Sequence, residues 1–370
     1  MTPRRRVAYL LTQDRGGPVD VTVRLAATLL DAGEVDLRVF GPVPARDAGL
    51  LDGHHHEISV SRKGDLAAGR RTRAAILAWR PDVVHAQDRR AGLVSAGLKR
   101  GVPAVVHTYH GVPDDVGEPW SRGEPGASGP SAYTRAVLAG DALVARIADR
   151  TVVPAAEMGR FLGDRLRVPP SRIAHIDNCV APGESRPPAG PVRHLVFVGL
   201  LVERKGLLNL LAALAIPGVM PPDARLTVVG DGPQRAEAER LAESPPLAGR
   251  VTFTGFRTDV AELLQTGDAL VLPSTMEQQP LVIAEAMTAG KPVVATDTGG
   301  VADMLGDRTF LAPPHDIPAL ADRLRALFAE PAPARIGHLL AARARERFTP
   351  DVCAQHHLAL YDELLRAKIR

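Results

Sequence analysis

Short apolar runs alternate with longer amphipathic stretches through the whole 370-residue chain, in two successive series. In the first series, Val7–Leu11, Leu37–Phe40, Val83–His85, Ala104–Thr108 and Arg150–Val153 have the length and β-branched content of strands. Helical spacing covers Val19–Ala32, Asp65–Trp79, Arg90–Lys99, Ala132–Ala148 and Ala155–Leu166. The second series has strand-like runs at His194–Gly199, Arg225–Gly230, Val251–Gly255, Ala269–Pro273 and Pro292–Thr296, again with helical patterns between them. Parallel neighbours in a sheet need a crossover long enough to hold a helix, so this alternation predicts an α/β chain with parallel sheets. Asn178-Cys-Val-Ala-Pro-Gly-Glu-Ser-Arg-Pro-Pro-Ala-Gly190 separates the series and has the composition of a linker. Two doubly wound domains follow, residues 1–187 and 188–350.

Composition removes several function classes. Aromatic residues make up 4% of the chain, too few for base-stacking platforms, and no nucleic-acid partner is expected. Net charge is only +3, but residues 1–187 hold 26 Lys and Arg against 21 Asp and Glu. Arg4-Arg-Arg6, Arg62-Lys63 and Arg70-Arg-Thr-Arg73 read as solvated faces, with at most peripheral membrane contact. Cys179 and Cys353 are the two cysteines, giving neither a disulfide framework nor a metal-ligand pattern, which fits a reducing cytosol. Val7–Leu11 is too short for a signal-peptide core, and no run approaches a membrane span, so a cytoplasmic location is expected. His54-His-His56-Glu57 matches no catalytic metal spacing and reads as a solvated loop. Residues 111–130 read as a long structureless loop starting at the ligand edge of a sheet, either a lid or a surface excursion.

The chemistry concentrates in the second series. Glu277 follows the apolar run Ala269–Pro273, and Glu285 lies inside an apolar helix ending at Gly290. Core packing explains Leu281, Val282, Ile283, Ala284 and Met287, but not an acid at each end of the run. Open parallel sheets bind ligands at the carboxyl edge. Paired carboxylates there suit the hydroxyls of two rings of one ligand, such as a hexose and a ribose. Gly199-Leu-Leu-Val-Glu-Arg-Lys205-Gly206 is a strand-to-helix turn with cations Arg204 and Lys205, suited to an anion. Gly230-Asp-Gly232-Pro233 and Thr298-Gly-Gly300 are two more glycine turns beside the same acids. Together they suit a nucleoside diphosphate sugar. There is no Asp-x-Asp pair in the chain, so no carboxylate pair of that spacing is offered to a metal ion.

The order Gly199…Lys205-Gly206, Val229-Gly-Asp-Gly-Pro233, Val251-Thr-Phe-Thr-Gly255-Phe256, Glu277…Glu285-Ala-Met and Gly290-Lys-Pro-Val-Val-Ala-Thr resembles glycosyltransferase family 4. The first half matches more loosely, through Gly16-Gly17, Pro81-Asp-Val-Val-His85, His107-Thr-Tyr-His110-Gly111, Ala148-Asp-Arg150 and Asn178. The resemblance implies a retaining enzyme of GT-B fold, its two Rossmann-like domains facing a central cleft, with segment 351–370 returning to the first domain. It implies that Glu277, Gln278 and Gln279 face the donor hexose and that the amides of Leu281 and Val282 meet the diphosphate. Glu285 would bind the ribose, Lys205 would neutralise the leaving diphosphate, and Phe256 and Arg257 would lie near the base. Gly16 and Gly17 would allow close approach of the first loop, and His110 would face the donor sugar. UDP is preferred by family frequency, with no separate cofactor and no metal.

Two departures bear on donor contacts. Leu200 stands where relatives carry arginine, and Gln278-Gln279 where many carry Gly-Phe. The acceptor is read from acids on presumed ligand-edge loops of the first domain: Asp14, Asp88, Asp114 and Asp115, with His110. These suit a small hydroxylated and cationic acceptor such as an aminocyclitol or aminosugar. Ordinary loop solubility is the plainer reading of the same acids. Alternatives are transfer to a lipid or polysaccharide precursor at a membrane surface, a nucleotide-sugar-binding protein without transfer activity, and a nucleotide-sugar epimerase.

Overall fold

The computed structural model describes residues 4–59, 65–113 and 115–369, so Arg62, Lys63 and Asp114 lie outside the described residues. The chain divides into two compact units, Met1–Val180 with Pro350–Arg370, and Ala181–Thr349. In the first unit the strands are β1 (Arg5–Leu10), β2 (Val35–Gly41), β3 (His55–Glu57), β4 (Val83–Ala86), β5 (Ala104–Thr108), β6 (Arg150–Val153) and β7 (Ile173–His175). They form one sheet in the order β3-β2-β1-β4-β5-β6-β7, every pair parallel. In the second unit the strands are β8 (His194–Val198), β9 (Arg225–Val229), β10 (Val251–Gly255), β11 (Ala269–Leu272), β12 (Val293–Thr296) and β13 (Leu311–Ala312). Their order is β10-β9-β8-β11-β12-β13, again all parallel. Strand order therefore reverses at β1/β4 and at β8/β11, and the loops at such a reversal open a crevice at the carboxyl edge.

Helices cover both faces of each sheet, which is why the central strands are apolar without alternation. Val7, Ala8, Tyr9 and Leu10 of β1 are all fully buried. Ala8 and Leu10 share a core cluster with Val84 and Ala86 of β4 and with Ile76 and Trp79 of the helix Leu66–Trp79. In the second unit Leu195 and Phe197, two apart on β8, point to the same side. There they pack with Leu210, Leu211 and Leu214 of the helix Leu207–Ala215 and with Leu320 and Leu324 of the helix Ile317–Phe328.

Three features differ from the sequence reading. Strands β3, β7 and β13 span three residues or fewer, too short to show a period, and β3, β7 and β13 are the sheet edges or lie at them. His55-His56-Glu57 is thus an edge strand rather than a loop, with His55 opposite Val39 and the His56 ring 5.3 Å from Phe40. Residues 111–130 are not structureless. They contain the helix Glu118–Arg122, whose Trp120 ring lies 6.3 Å from Phe161 and 4.3 Å from the Arg165 guanidinium.

The helix Pro350–Ile369 belongs to the first unit and is anchored through polar atoms in its core. The fully buried Tyr361 hydroxyl lies 3.0 Å from that of Tyr9 and 2.7 Å from His85 Nδ1. His85 Nε2 in turn lies 2.7 Å from Thr108 Oγ1, so one hydrogen-bonded chain joins β1, the helix, β4 and β5. Tyr361→Phe deletes one hydroxyl and leaves two buried polar atoms short of a partner. The expected cost is about 1–3 kcal/mol, read as a lower urea midpoint; an unchanged midpoint would refute this account of the anchor.

Candidate active site

At the carboxyl edge of the second sheet, the loops are fastened to one another by main-chain contacts. The turn Glu203–Lys205 follows β8 and ends at Gly206, whose φ is 70°. A Cβ at Gly206 would lie 2.1 Å from the Pro273 carbonyl oxygen, so only glycine lets the turn sit against the end of β11. Thr275 N donates to Arg204 O at 2.7 Å and completes that junction. The loop after β12 closes on the same place: a Cβ on Gly299, at φ 51°, would lie 1.9 Å from the Glu277 carbonyl oxygen, and Gly300 N donates to Gln278 O at 2.7 Å. Toward the other side, Leu201 N donates to Asp231 O at 2.9 Å and Gln234 N to Leu201 O at 3.0 Å. Gly230 and Gly232 shape that turn, and Gly230 N reaches Gly255 O at 2.9 Å.

This stitching brings Lys205 Nζ to 2.5 Å from Glu277 Oε1, with only 15% and 8% of the two side chains exposed. Few ion pairs are so enclosed, because desolvating two charges costs much of what their attraction returns. Next along the chain, the helix Leu281–Thr288 begins after Pro280 with no side chain capping its first turn. The amides of Leu281 and Val282 lie in that first turn, at the positive end of the helix dipole, where an anion is favoured. Glu285 is half-buried on the same helix, Gln279 is buried and Gln278 half-buried. Beyond β10, Phe256 is exposed and Arg257 is paired with Asp259, Nε to Oδ1 2.8 Å. Leu200 is 57% exposed, an uncharged side chain at the rim of the Lys205 turn. Arg204 is exposed on the same turn.

The first unit offers a different set of groups at its own carboxyl edge. Gly16 caps the helix Gly17–Asp31, and its carbonyl accepts from Val19 N at 2.9 Å. Asp14 bonds Arg15 at 2.9 Å, which holds its carboxyl below the usual range. Two acids expected to meet an acceptor have internal duties instead. Asp88 is 4% exposed and caps the helix Arg89–Ala96 through Ala91 N at 2.8 Å, while gripping both Thr12 N and Thr12 Oγ1 at 2.6 Å. Asp115 accepts from Thr134 Oγ1 at 2.6 Å and Ser131 N at 3.2 Å, so it staples the 116–130 segment; the Thr134 hydroxyl, first, lowers its acidity range. A cap or a staple satisfies a carboxylate as a ligand would, and sequence does not distinguish them.

His110 follows β5, and its Nε2 is buried with no hydrogen-bond partner among the described residues. Burial, then the neighbouring His107 and His357, push its pKa down to about 3; burial likewise takes His107 and His357 to about 4. His85 is also held well below its ordinary value, by burial first. At neutral pH His110 is therefore an uncharged hydrogen-bonding group. Arg89, Tyr109 and Asp141 form a cluster that no sequence motif marks. Arg89 Nε lies 3.0 Å from both Asp141 carboxylate oxygens, and the Tyr109 hydroxyl donates to Asp141 at 3.0 Å. The available signal was an acid on the stripe Leu138, Asp141, Ala142, Ala145, which the helix Ala132–Ile147 buries.

Residues 15–184 match the family model described as Glycosyltransferase Family 4, and residues 192–330 match the model described as Glycosyl transferases group 1. The chain belongs to glycosyltransferase family 4. It is 30% identical over 284 residues to a glycogen synthase of Mycobacterium tuberculosis, covering 74% of this chain and 66% of that protein. It is 34% identical over 174 residues to a 2-deoxystreptamine glucosyltransferase of Streptomyces kanamyceticus, covering 46% and 43%. The matches thus span less than two thirds of the length of these relatives. Among solved structures, Anabaena HepE in complex with UDP and glucose superposes with TM-score 0.76 at 20% identity, over 97% of this chain and 100% of that one. That likeness, with the two parallel doubly wound sheets, establishes the GT-B fold of this family 4 member. No helix of the described residues is long and apolar enough to cross a membrane.

The depressed histidines set a pH window for stability. His107, His110 and His357 hold folded values of about 3 to 4 against an ordinary 6.5, so the unfolded chain takes up protons first as pH falls. Stability is full above about pH 7 and declines from about pH 6.5 toward 4. The urea midpoint is expected to be lower at about pH 5 than at about pH 7.5; equal midpoints would mean that these imidazoles protonate within the fold.

Proposed function

We propose that this chain is a retaining, metal-independent glycosyltransferase. It moves a hexose from a UDP-sugar, UDP-glucose or UDP-N-acetylglucosamine, to a small hydroxylated acceptor of the aminocyclitol or aminosugar class. The enclosed Lys205–Glu277 pair beside the uncapped amino end of the helix Leu281–Thr288 carries the reading. A departing diphosphate gains negative charge as the bond to the anomeric carbon breaks. Lys205 and the amides of Leu281 and Val282 are suited to receive that charge in a site with little water, where such stabilisation is worth several kcal/mol. Glu277 would accept hydrogen bonds from hexose hydroxyls and favour the oxocarbenium-like transition state. Glu285 would hold the ribose hydroxyls, and neutral His110 would hydrogen-bond the donor sugar. Leu200 supplies no charge where an arginine contact is expected, so Arg204 or Lys205 alone would meet the phosphates.

The acceptor class rests on the likeness to the Streptomyces 2-deoxystreptamine glucosyltransferase. Of the acids expected to recognise a cation, Asp88 and Asp115 serve the fold and lend that class no support.

Calorimetry with UDP, GDP and ADP and their hexose derivatives, in EDTA, tests the donor half. A UDP-sugar is expected to bind without a divalent ion; binding of none by folded protein would overturn the reading. Release of UDP from UDP-glucose on adding 2-deoxystreptamine tests the acceptor half. Glu285→Ala is expected to weaken UDP binding by about 1–3 kcal/mol through lost hydrogen bonds. Glu277→Ala should lower turnover more than donor affinity, and unchanged turnover would remove its role.

A further inference from the structure

His110 sits between two residues held by one buried network. Tyr109 N donates to Val152 O of β6 at 2.8 Å, and the Tyr109 hydroxyl donates to Asp141 Oδ2 at 3.0 Å. Arg89 Nη2 donates to the Gly111 carbonyl at 2.9 Å while Arg89 Nε bonds both Asp141 oxygens. Asp141 is 3% exposed and Arg89 33%, and the guanidinium lies 5.8 Å from the centre of the Tyr109 ring. The network therefore grips the side chain before His110 and the carbonyl after it, and leaves Nε2 of His110 itself without a partner among the described residues.

Stability alone does not account for this. A buried ion pair is commonly no better for stability than apolar side chains of the same volume. Asp141 occupies the apolar stripe of its helix, between Leu138 and Ala142, where an aliphatic residue would pack. What the pair supplies is fixed geometry. Groups that act on a reacting centre must be held to within a fraction of an ångström, and their supporting residues do the holding.

We propose that Arg89, Asp141 and Tyr109 are positioning residues that fix His110 through its two chain neighbours. The proposal rests on the reading above, in which His110 contacts the donor sugar. Tyr109→Phe removes one hydroxyl from the network and keeps the ring; Asp141→Asn keeps the shape and removes the charge. Each is measured for UDP release from UDP-glucose with 2-deoxystreptamine, in the wild-type background and in His110→Ala, alongside thermal unfolding. Both are expected to lower kcat about tenfold or more with donor KM within about twofold. In the His110→Ala background each should lower kcat further by less than about twofold, because the two sites act as one unit. Equal losses in both backgrounds, or none in the wild type, overturn the positioning role while the transferase reading stands. Should Asp141→Asn fail to fold, Tyr109→Phe decides alone. Wild-type turnover in His110→Ala overturns the role of His110 and this proposal with it. Wild-type protein that releases no UDP from this donor and acceptor overturns the substrate pair of the reading above, not the roles of Arg89, Asp141 and Tyr109.

Discussion

Parallel strand pairing is the constraint from which the rest follows. Each strand must be left at one edge of the sheet and re-entered at the other, so every loop that follows a strand arrives at the same edge. In the second unit five such loops meet, after β8, β9, β10, β11 and β12, and they are joined largely by main chain to main chain. Lys205 and Glu277 come from loops far apart in sequence, yet backbone contacts at Gly206, Thr275, Gly299 and Gly300 fix where each begins. The side chains are thereby left for a ligand rather than for holding the loops together.

The two units handle electrostatics differently. The second places a cation and an anion in near-complete enclosure and adds the positive end of a helix. The first sets imidazoles that burial keeps neutral near its carboxyl edge, with His85 joined to the Tyr361 and Thr108 hydroxyls, and places the Arg89–Asp141 pair beside them. Charge suits a group that gains charge as it leaves, whereas neutral donors and acceptors suit hydroxyl-bearing rings.

Legibility in sequence followed burial. The central strands could be read because covering both faces of a parallel sheet demands continuous apolar runs, as in Val7–Leu10 and Ala269–Leu272. The edge strands β3, β7 and β13 are too short for any pattern, and His55-His56-Glu57 lacks apolar character altogether. The turn carrying Lys205 was visible through Gly199 and Gly206, since close backbone approach leaves a compositional trace, and Glu277 through its place just after an apolar strand run. Polar duties inside the fold leave little. Asp88 as a helix cap and Asp115 as a loop staple look alike in sequence, and only their partners tell them apart; Asp141 shows only as an acid on the buried stripe of its helix. Trp120 belongs to the same class: its packing on Phe161 turns a Pro/Gly-rich stretch into ordered structure.

The anchoring of Tyr361 has a consequence for how the chain is made. The sheet of the first unit is complete once β7 has been synthesised, but Tyr9 and His85 lack their shared partner until residue 361 exists. Ala181–Thr349, a whole unit with its own core, is produced in the interval. At about 5–20 residues per second that interval is on the order of ten seconds or more. Until then the first unit keeps an open seam where the helix Pro350–Ile369 will dock, so its fold cannot be completed before the second unit has been synthesised.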